Sequence, residues 1–154
     1  MSLIIRRMRL EDVPAVHAID ELSFSLPWPE RSFKFEATEN PAARAWIAEA
    51  DGRVVAMLVL WLIVDEAHIA TIATHPDFRR QGIGDKLLLQ ALTAARAEGA
   101  KLAFLEVREG NPAAQSMYSK HGFEVTGRRP RYYRDNNEDA LLMTLDHLNA
   151  LEDP

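Results

Sequence analysis

Cysteine is absent from this 154-residue chain, which excludes a disulfide framework, a thiolate metal site and a cysteine nucleophile. Any acyl transfer here proceeds without an acyl-cysteine, and the absence fits a reducing compartment. Long apolar runs are also missing: the longest, Val54 to Val64, is roughly half of the ~20 residues a membrane-spanning helix needs. The segment Met1-Ser2-Leu3-Ile4-Ile5-Arg6-Arg7-Met8 puts its charges after a short apolar run, the reverse of a secretory signal, so a soluble cytoplasmic protein without membrane contact is expected. Positive charge is not in excess either. A formal net charge of −5 argues against nucleic-acid binding through phosphate contacts and suits cationic substrates such as amines. His17, His68, His75, His121 and His147 show no metal-ligand spacing, and no metal is expected.

What the chain does have is 47% hydrophobic residues, enough for one core and too few residues for two. The expectation is a single domain over 1–150 with a frayed tail at 151–154. Strand patterns cover Leu3–Met8, Trp46–Ala50, Arg53–Val64, Ala67–Thr74, Leu102–Val107, Phe123–Arg129 and Ala140–Leu145. Asp51-Gly52 is a hairpin signal between the second and third. Helical spacing covers Leu10 to Phe24, Pro29 to Thr38, Ile83 to Glu98 and Asn111 to His121. Strands that first pair as hairpins and later alternate with helices predict an α/β fold, a mixed sheet covered on both faces.

The stretch richest in chemistry is Arg79-Arg80-Gln81-Gly82-Ile83-Gly84, which follows a strand and opens a helix. Glycines 82 and 84 remove Cβ atoms that would hold a ligand off the backbone, and the first N–H groups of the helix lack intrahelical acceptors. A phosphate suits that position. By itself the pattern also describes an ordinary glycine-containing helix start, since it matches neither the dinucleotide nor the nucleotide phosphate fingerprint. Glu106 is a lone carboxylate in the apolar run Leu102–Val107, either an end-of-strand glutamate paired with Arg108 or a working acid–base group. Tyr118 shares a helix with Asn111, which caps it, seven positions earlier; it reads as core or as a positioned phenol.

Taken in order, the motif at 79–84, Leu105-Glu106-Val107-Arg108, Asn111-Pro112-Ala113-Ala114, Tyr118 and Gly122-Phe123 resemble the GNAT superfamily of acyl-CoA-dependent N-acetyltransferases over nearly the whole chain. Arg79, Gly82 and Gly84 fill the fixed places of its cofactor motif. Within it, Pro27-Trp28, Ile72-Ala73-Thr74-His75-Pro76 and Tyr132-Tyr133 followed by Glu138-Asp139-Ala140 are similar to bacterial ribosomal-protein-alanine N-acetyltransferases and other N-terminal acetyltransferases. The loop Arg134-Asp135-Asn136-Asn137 departs from members that have proline and glycine there.

The resemblance implies a mostly antiparallel mixed sheet flanked by helices and acetyl-CoA as co-substrate. Its pyrophosphate would lie on the N–H groups of Arg80, Gln81, Gly82, Ile83, Gly84 and Asp85, with charge from Arg79 or Arg80. The pantetheine arm would run along Ile72, Ala73 and Thr74, with Asn111 and Tyr118 beside it. Glu106 is implied as general base and Tyr118 as general acid. Trp28, Glu30, Tyr132 and Tyr133 are candidates for the acceptor groove, since a proline-bracketed tryptophan and a tyrosine pair on loops either pack or bind. The acceptor implied is a protein or peptide N-terminus, a ribosomal protein among the candidates, and the enzyme would be a monomer or weak dimer. A small-molecule amine or lysine side chain as acceptor, and a non-catalytic acyl-CoA-binding domain, remain the other readings.

Overall fold

A computed structural model describes residues 2–151. Strand β1 (Leu3–Arg7) is followed by a 3-10 turn at Leu10–Asp12 and helices α1 (Val13–Ser23) and α2 (Glu30–Thr38). Then come β2 (Ala43–Ala50), β3 (Arg53–Ile63), β4 (Glu66–Thr74), α3 (Ile83–Ala97), β5 (Leu102–Arg108), α4 (Pro112–Lys120), β6 (Glu124–Arg129) and β7 (Ala140–Leu145). The strands form one seven-stranded sheet in the order β1-β2-β3-β4-β5-β7-β6. Only β4 and β5 run parallel; the other neighbours are antiparallel.

The apolar run of β3 reflects cover on both faces. Leu58 and Leu60 pack with the α3 residues Leu87, Leu88, Ala91 and Leu92. Met57 and Val59 pack on the other side with Val13, Val16 and Ile19 of α1 and Phe33 of α2. Ala67 and Ile69 of β4 belong to the α3 side whereas Ala73 belongs to the α1 side. The register shift opposite Val59/Leu60 leaves Ala70 unpaired and changes which face later residues meet.

Asp51 and Gly52 form the two-residue hairpin turn, both with positive φ, between paired Ala50 and Arg53. Elsewhere element ends differ from the sequence pattern for identifiable reasons. β2 begins at Ala43 because Ala43, Arg44 and Ala45 find partners in Trp61, Leu60 and Val59. β3 stops at Ile63 because Val64 turns into left-handed backbone at φ 57°. The start of the first helix is a 3-10 turn, and Phe24 is already extended. Leu151, expected in a frayed tail, is buried in the main core and its carbonyl accepts from Arg96; residues 152–154 lie outside the described residues. Among the described residues no helix is long and apolar enough to cross a membrane.

Candidate active site

β4 and β5 pair only through Glu66–His68 and Leu102–Phe104. Beyond that point β4 stays with β3 and β5 stays with β7, so the sheet splits. The inner edge of Ile69–Thr74 keeps main-chain N–H and C=O groups without a strand partner, a ready-made edge for an extended ligand. A cleft of about 580 Å³ fills the split, with β4 and β5 as walls and α4, the α1–α2 loop and the β6–β7 loop around it.

At the end of β4 the chain turns through Pro76–Phe78 and reaches α3 across the glycine stretch. The backbone N–H groups of Arg80 through Asp85 donate to no acceptor among the described residues. Gly82 adopts φ +75°, which glycine tolerates best. Gly84 has helical backbone, and a Cβ there would meet Met117 Sδ at 3.5 Å and Thr74 Oγ1 at 3.6 Å, ordinary contact distances. The protein's own packing therefore does not demand glycine at 84. Arg79 donates from Nε to the Thr74 carbonyl at 3.0 Å and from its terminal nitrogen to Ser23 Oγ at 3.2 Å. It braces the loop, whereas the exposed Arg80 side chain beside it has no partner among the described residues. The Asp85 carboxylate faces His121 Nε2 at 2.9 Å and Lys120 Nζ at 3.3 Å.

Strand alternation separates the two titratable groups of interest. Leu105 and Val107 join the α3-side core, so Glu106 between them projects to the other face. Tyr118, on α4, packs in the α3-side core against Phe123. Both line the split, which they approach from opposite faces of the sheet. Glu106 does not pair with Arg108. Its Oε2 lies 2.9 Å from His68 Nε2 and its Oε1 lies 3.6 Å from Arg129. The hydrogen bond to His68, opposed by burial and aided by Arg129, holds the Glu106 carboxyl below its usual range. Burial pushes the Tyr118 phenol well above its ordinary value, so it keeps its proton through neutral pH. Asn111 caps α4, its Oδ1 accepting from the Ala114 N–H at 3.2 Å, and also lines the cleft.

Trp28, Tyr132 and Tyr133 reach the cleft wall, whereas Glu30 pairs with His17 and Lys34 on the α1–α2 surface and is not among the lining residues. Trp28 packs at the same time, with Phe33 at 5.2 Å and Trp61 at 6.3 Å between ring centroids. Tyr133 lies under the Arg108 guanidinium at 3.9 Å, and its phenol is pushed up to about 12, burial being the main cause. Two functional candidates escaped the sequence pattern. Asp20 is buried, lines the cleft and accepts the Trp28 backbone N–H at 2.7 Å. His68 meets Glu106 from 38 residues away, through a strand pairing that no local spacing announces.

The sheet thus splits between β4 and β5, with unpaired backbone N–H groups at the end of β4. The chain belongs to the acetyltransferase (GNAT) family, whose model matches residues 13–123, and it is an acyltransferase of that class. It is 40% identical over 139 residues to a putative [ribosomal protein bS18]-alanine N-acetyltransferase of Bacillus subtilis, covering 90% of this chain and 92% of the relative. An N-alpha-acetyltransferase of Sulfurisphaera tokodaii is 34% identical over 152 residues, with 90% of each chain covered. The crystal structure of the ribosomal-protein-S18-alanine N-acetyltransferase from Escherichia coli superposes with a TM-score of 0.87 at 30% identity, covering 94% of this chain and 93% of that one.

Proposed function

We propose that this enzyme transfers the acetyl group of acetyl-CoA to the free α-amine of a protein N-terminus, an alanine-initiated ribosomal protein being the favoured acceptor. The observation that carries the reading is the continuity of the site. Unpaired N–H groups at Arg80–Asp85 lead along the free edge of Ile72–Thr74 to a split flanked by Glu106 and Tyr118. The relatives' names supply the acceptor class.

Acetyl-CoA carries its acetyl group as a thioester that a neutral amine attacks directly. The cradle N–H groups and Arg80 hold the pyrophosphate, the Gly84 backbone allows its close approach, and the edge of Ile72, Ala73 and Thr74 orients the pantetheine arm. Asn111 contributes its amide to that arm or to a water. Glu106 takes the proton of the acceptor amine, through water; an α-amine with a pKa of about 8 needs less help than a lysine at about 10.4. Tyr118 gives its proton to the departing thiolate, a task suited to a buried phenol that stays protonated. Trp28, Tyr132 and Tyr133 form the walls along which the acceptor peptide lies.

Steady-state turnover on an alanine-initiated peptide by Glu106→Gln and Tyr118→Phe tests the assignment. Each is expected to lose ~10²–10⁴-fold in kcat with the fold retained. A Glu106→Gln enzyme with full kcat at neutral pH contradicts the role of base.

A further inference from the structure

Among the described residues the buried carboxylates are Asp12 and Asp20, at 5% and 1% exposure, and they are partnered very differently. Asp12 receives Arg6 on both oxygens and the Arg9 backbone N–H besides. Asp20, near the end of α1, receives the Trp28 backbone N–H on Oδ2 at 2.7 Å. Its Oδ1 accepts from no donor, and its side chain forms no ion pair, among the described residues. Burial pushes the Asp20 carboxyl above its usual range, against the pull of the Trp28 N–H and of His17 one turn back. A buried carboxylate without a cation is costly, and this one stands in the wall of the cleft.

With an α-amine as acceptor, as proposed above, the cleft must first admit a cation, since an amine with a pKa of about 8 is mostly ammonium at neutral pH. Asp20 enters the split from the α1 face, the face to which Glu106 also projects, opposite Tyr118. The cation of the cleft wall, Arg108, is taken by Asp135 and Glu138, and Arg129 stands at Glu106 Oε1. No protein cation among the described residues answers Asp20. We propose, given that acceptor class, that Asp20 docks the acceptor's ammonium group: Oδ2 stays on the Trp28 N–H, and Oδ1 accepts a charge-assisted hydrogen bond from the incoming α-ammonium. The site is fixed in place. The Trp28 bond ties the carboxylate to a loop whose tryptophan ring packs on Phe33 and Trp61. Held there, the amine lies on the side of the split from which Glu106 takes its proton. An acetylated terminus carries no charge, so the contact that admits the substrate does not retain the product.

The test is a binding measurement that needs no turnover. Calorimetry on the protein saturated with CoA compares an alanine-initiated peptide with its des-amino analogue, which carries propionyl in place of alanyl, at a pH of about 6.5 where the amine is charged. The parent is expected to bind the ammonium peptide ~10-fold or more tighter than the propionyl peptide. Asp20→Asn keeps an oxygen for the Trp28 N–H and removes the charge, so it is expected to bind the propionyl peptide as the parent does and to lose the preference. A parent without the preference, an Asp20→Asn protein that keeps it, or one that weakens both peptides equally overturns the proposal; the last outcome leaves Asp20 a purely structural tie. If Asp20→Asn fails to fold, ¹³C NMR of the parent decides. Saturating alanine-initiated peptide is expected to lower the pH at which the Asp20 carboxyl titrates, because a cationic partner favours its ionised form, and the propionyl peptide is not; equal effects of the two overturn the proposal. A parent that acetylates free-amino peptides while ignoring their charge in binding removes only this role of Asp20, whereas a parent that acetylates none of them removes the acceptor reading beneath it.

Discussion

Arg108 donates to both carboxylate oxygens of Asp135, at 3.1 and 3.0 Å, and so fastens strand β5 to the β6–β7 loop. Asp135 also accepts from the Ser25 hydroxyl across the cleft mouth, in the α1–α2 loop. Both loops line the cleft, and the Arg108 guanidinium stacks on the Tyr133 ring. Arg108→Ala is expected to raise KM for the peptide by ~10-fold through loss of a bidentate tie, leaving KM for acetyl-CoA unchanged. Separate titration of each substrate checks it; equal effects on both argue for a general loosening of the fold.

Gly84 separates ligand binding from stability. Because a Cβ there meets only ordinary contacts, Gly84→Ala is expected to leave the melting temperature unchanged or to raise it, a helical Gly→Ala exchange being worth up to ~1 kcal/mol. In the proposed reading the pyrophosphate lies on this stretch of backbone, so KM for acetyl-CoA is expected to rise with the added methyl. Paired thermal melts and acetyl-CoA titrations decide it, and a destabilised variant contradicts the packing argument.

Asp12 carries a pH dependence whose sign follows from its partners. Arg6 donates to both its oxygens, at 2.8 and 2.9 Å, and the Arg9 backbone N–H adds a third bond at 2.7 Å. The Arg6 bonds hold the Asp12 carboxyl below its usual range despite its burial. Its contribution is therefore complete above the unfolded value of about 3.9 and fades as pH falls through the lower folded value. Asp12→Asn is expected to cost roughly 2 kcal/mol at pH 7, with the gap to the parent closing below about pH 4. Denaturant melts at both pH values measure it.

Much of this fold was legible because its signals are local. The α3 pattern of Ile83, Leu87, Leu88, Ala91, Leu92 and Ala95 is the buried face found in the structure, and Asp51-Gly52 supplies its own turn chemistry. What failed was settled by distant partners. Ala43–Ala45 join β2 only because β3 extends far enough to pair with them, and Leu151 is held by the core and Arg96. The candidate site divides in the same way. Gly82 is marked by its left-handed backbone, and Glu106 by its cost in an apolar strand. The partner of Glu106 was not legible, since His68 reaches it through a parallel pairing and Arg108 turns instead to Asp135. Glu30 was a candidate for the groove, and its carboxylate lies 3.8 Å from His17 Nδ1 and 3.5 Å from Lys34 Nζ; no local spacing announces the contact with the histidine.

The central claim is that the acceptor is a free protein N-terminus. The most direct measurement is acetyl-CoA-dependent thiol release with alanine- and serine-initiated peptides, an N-terminally blocked lysine peptide and spermidine side by side. The account predicts turnover confined to the free-amino peptides, led by the alanine-initiated one, with the added mass on the α-amine. Turnover on spermidine or the blocked peptide, or tight acetyl-CoA binding without turnover on any of them, contradicts it.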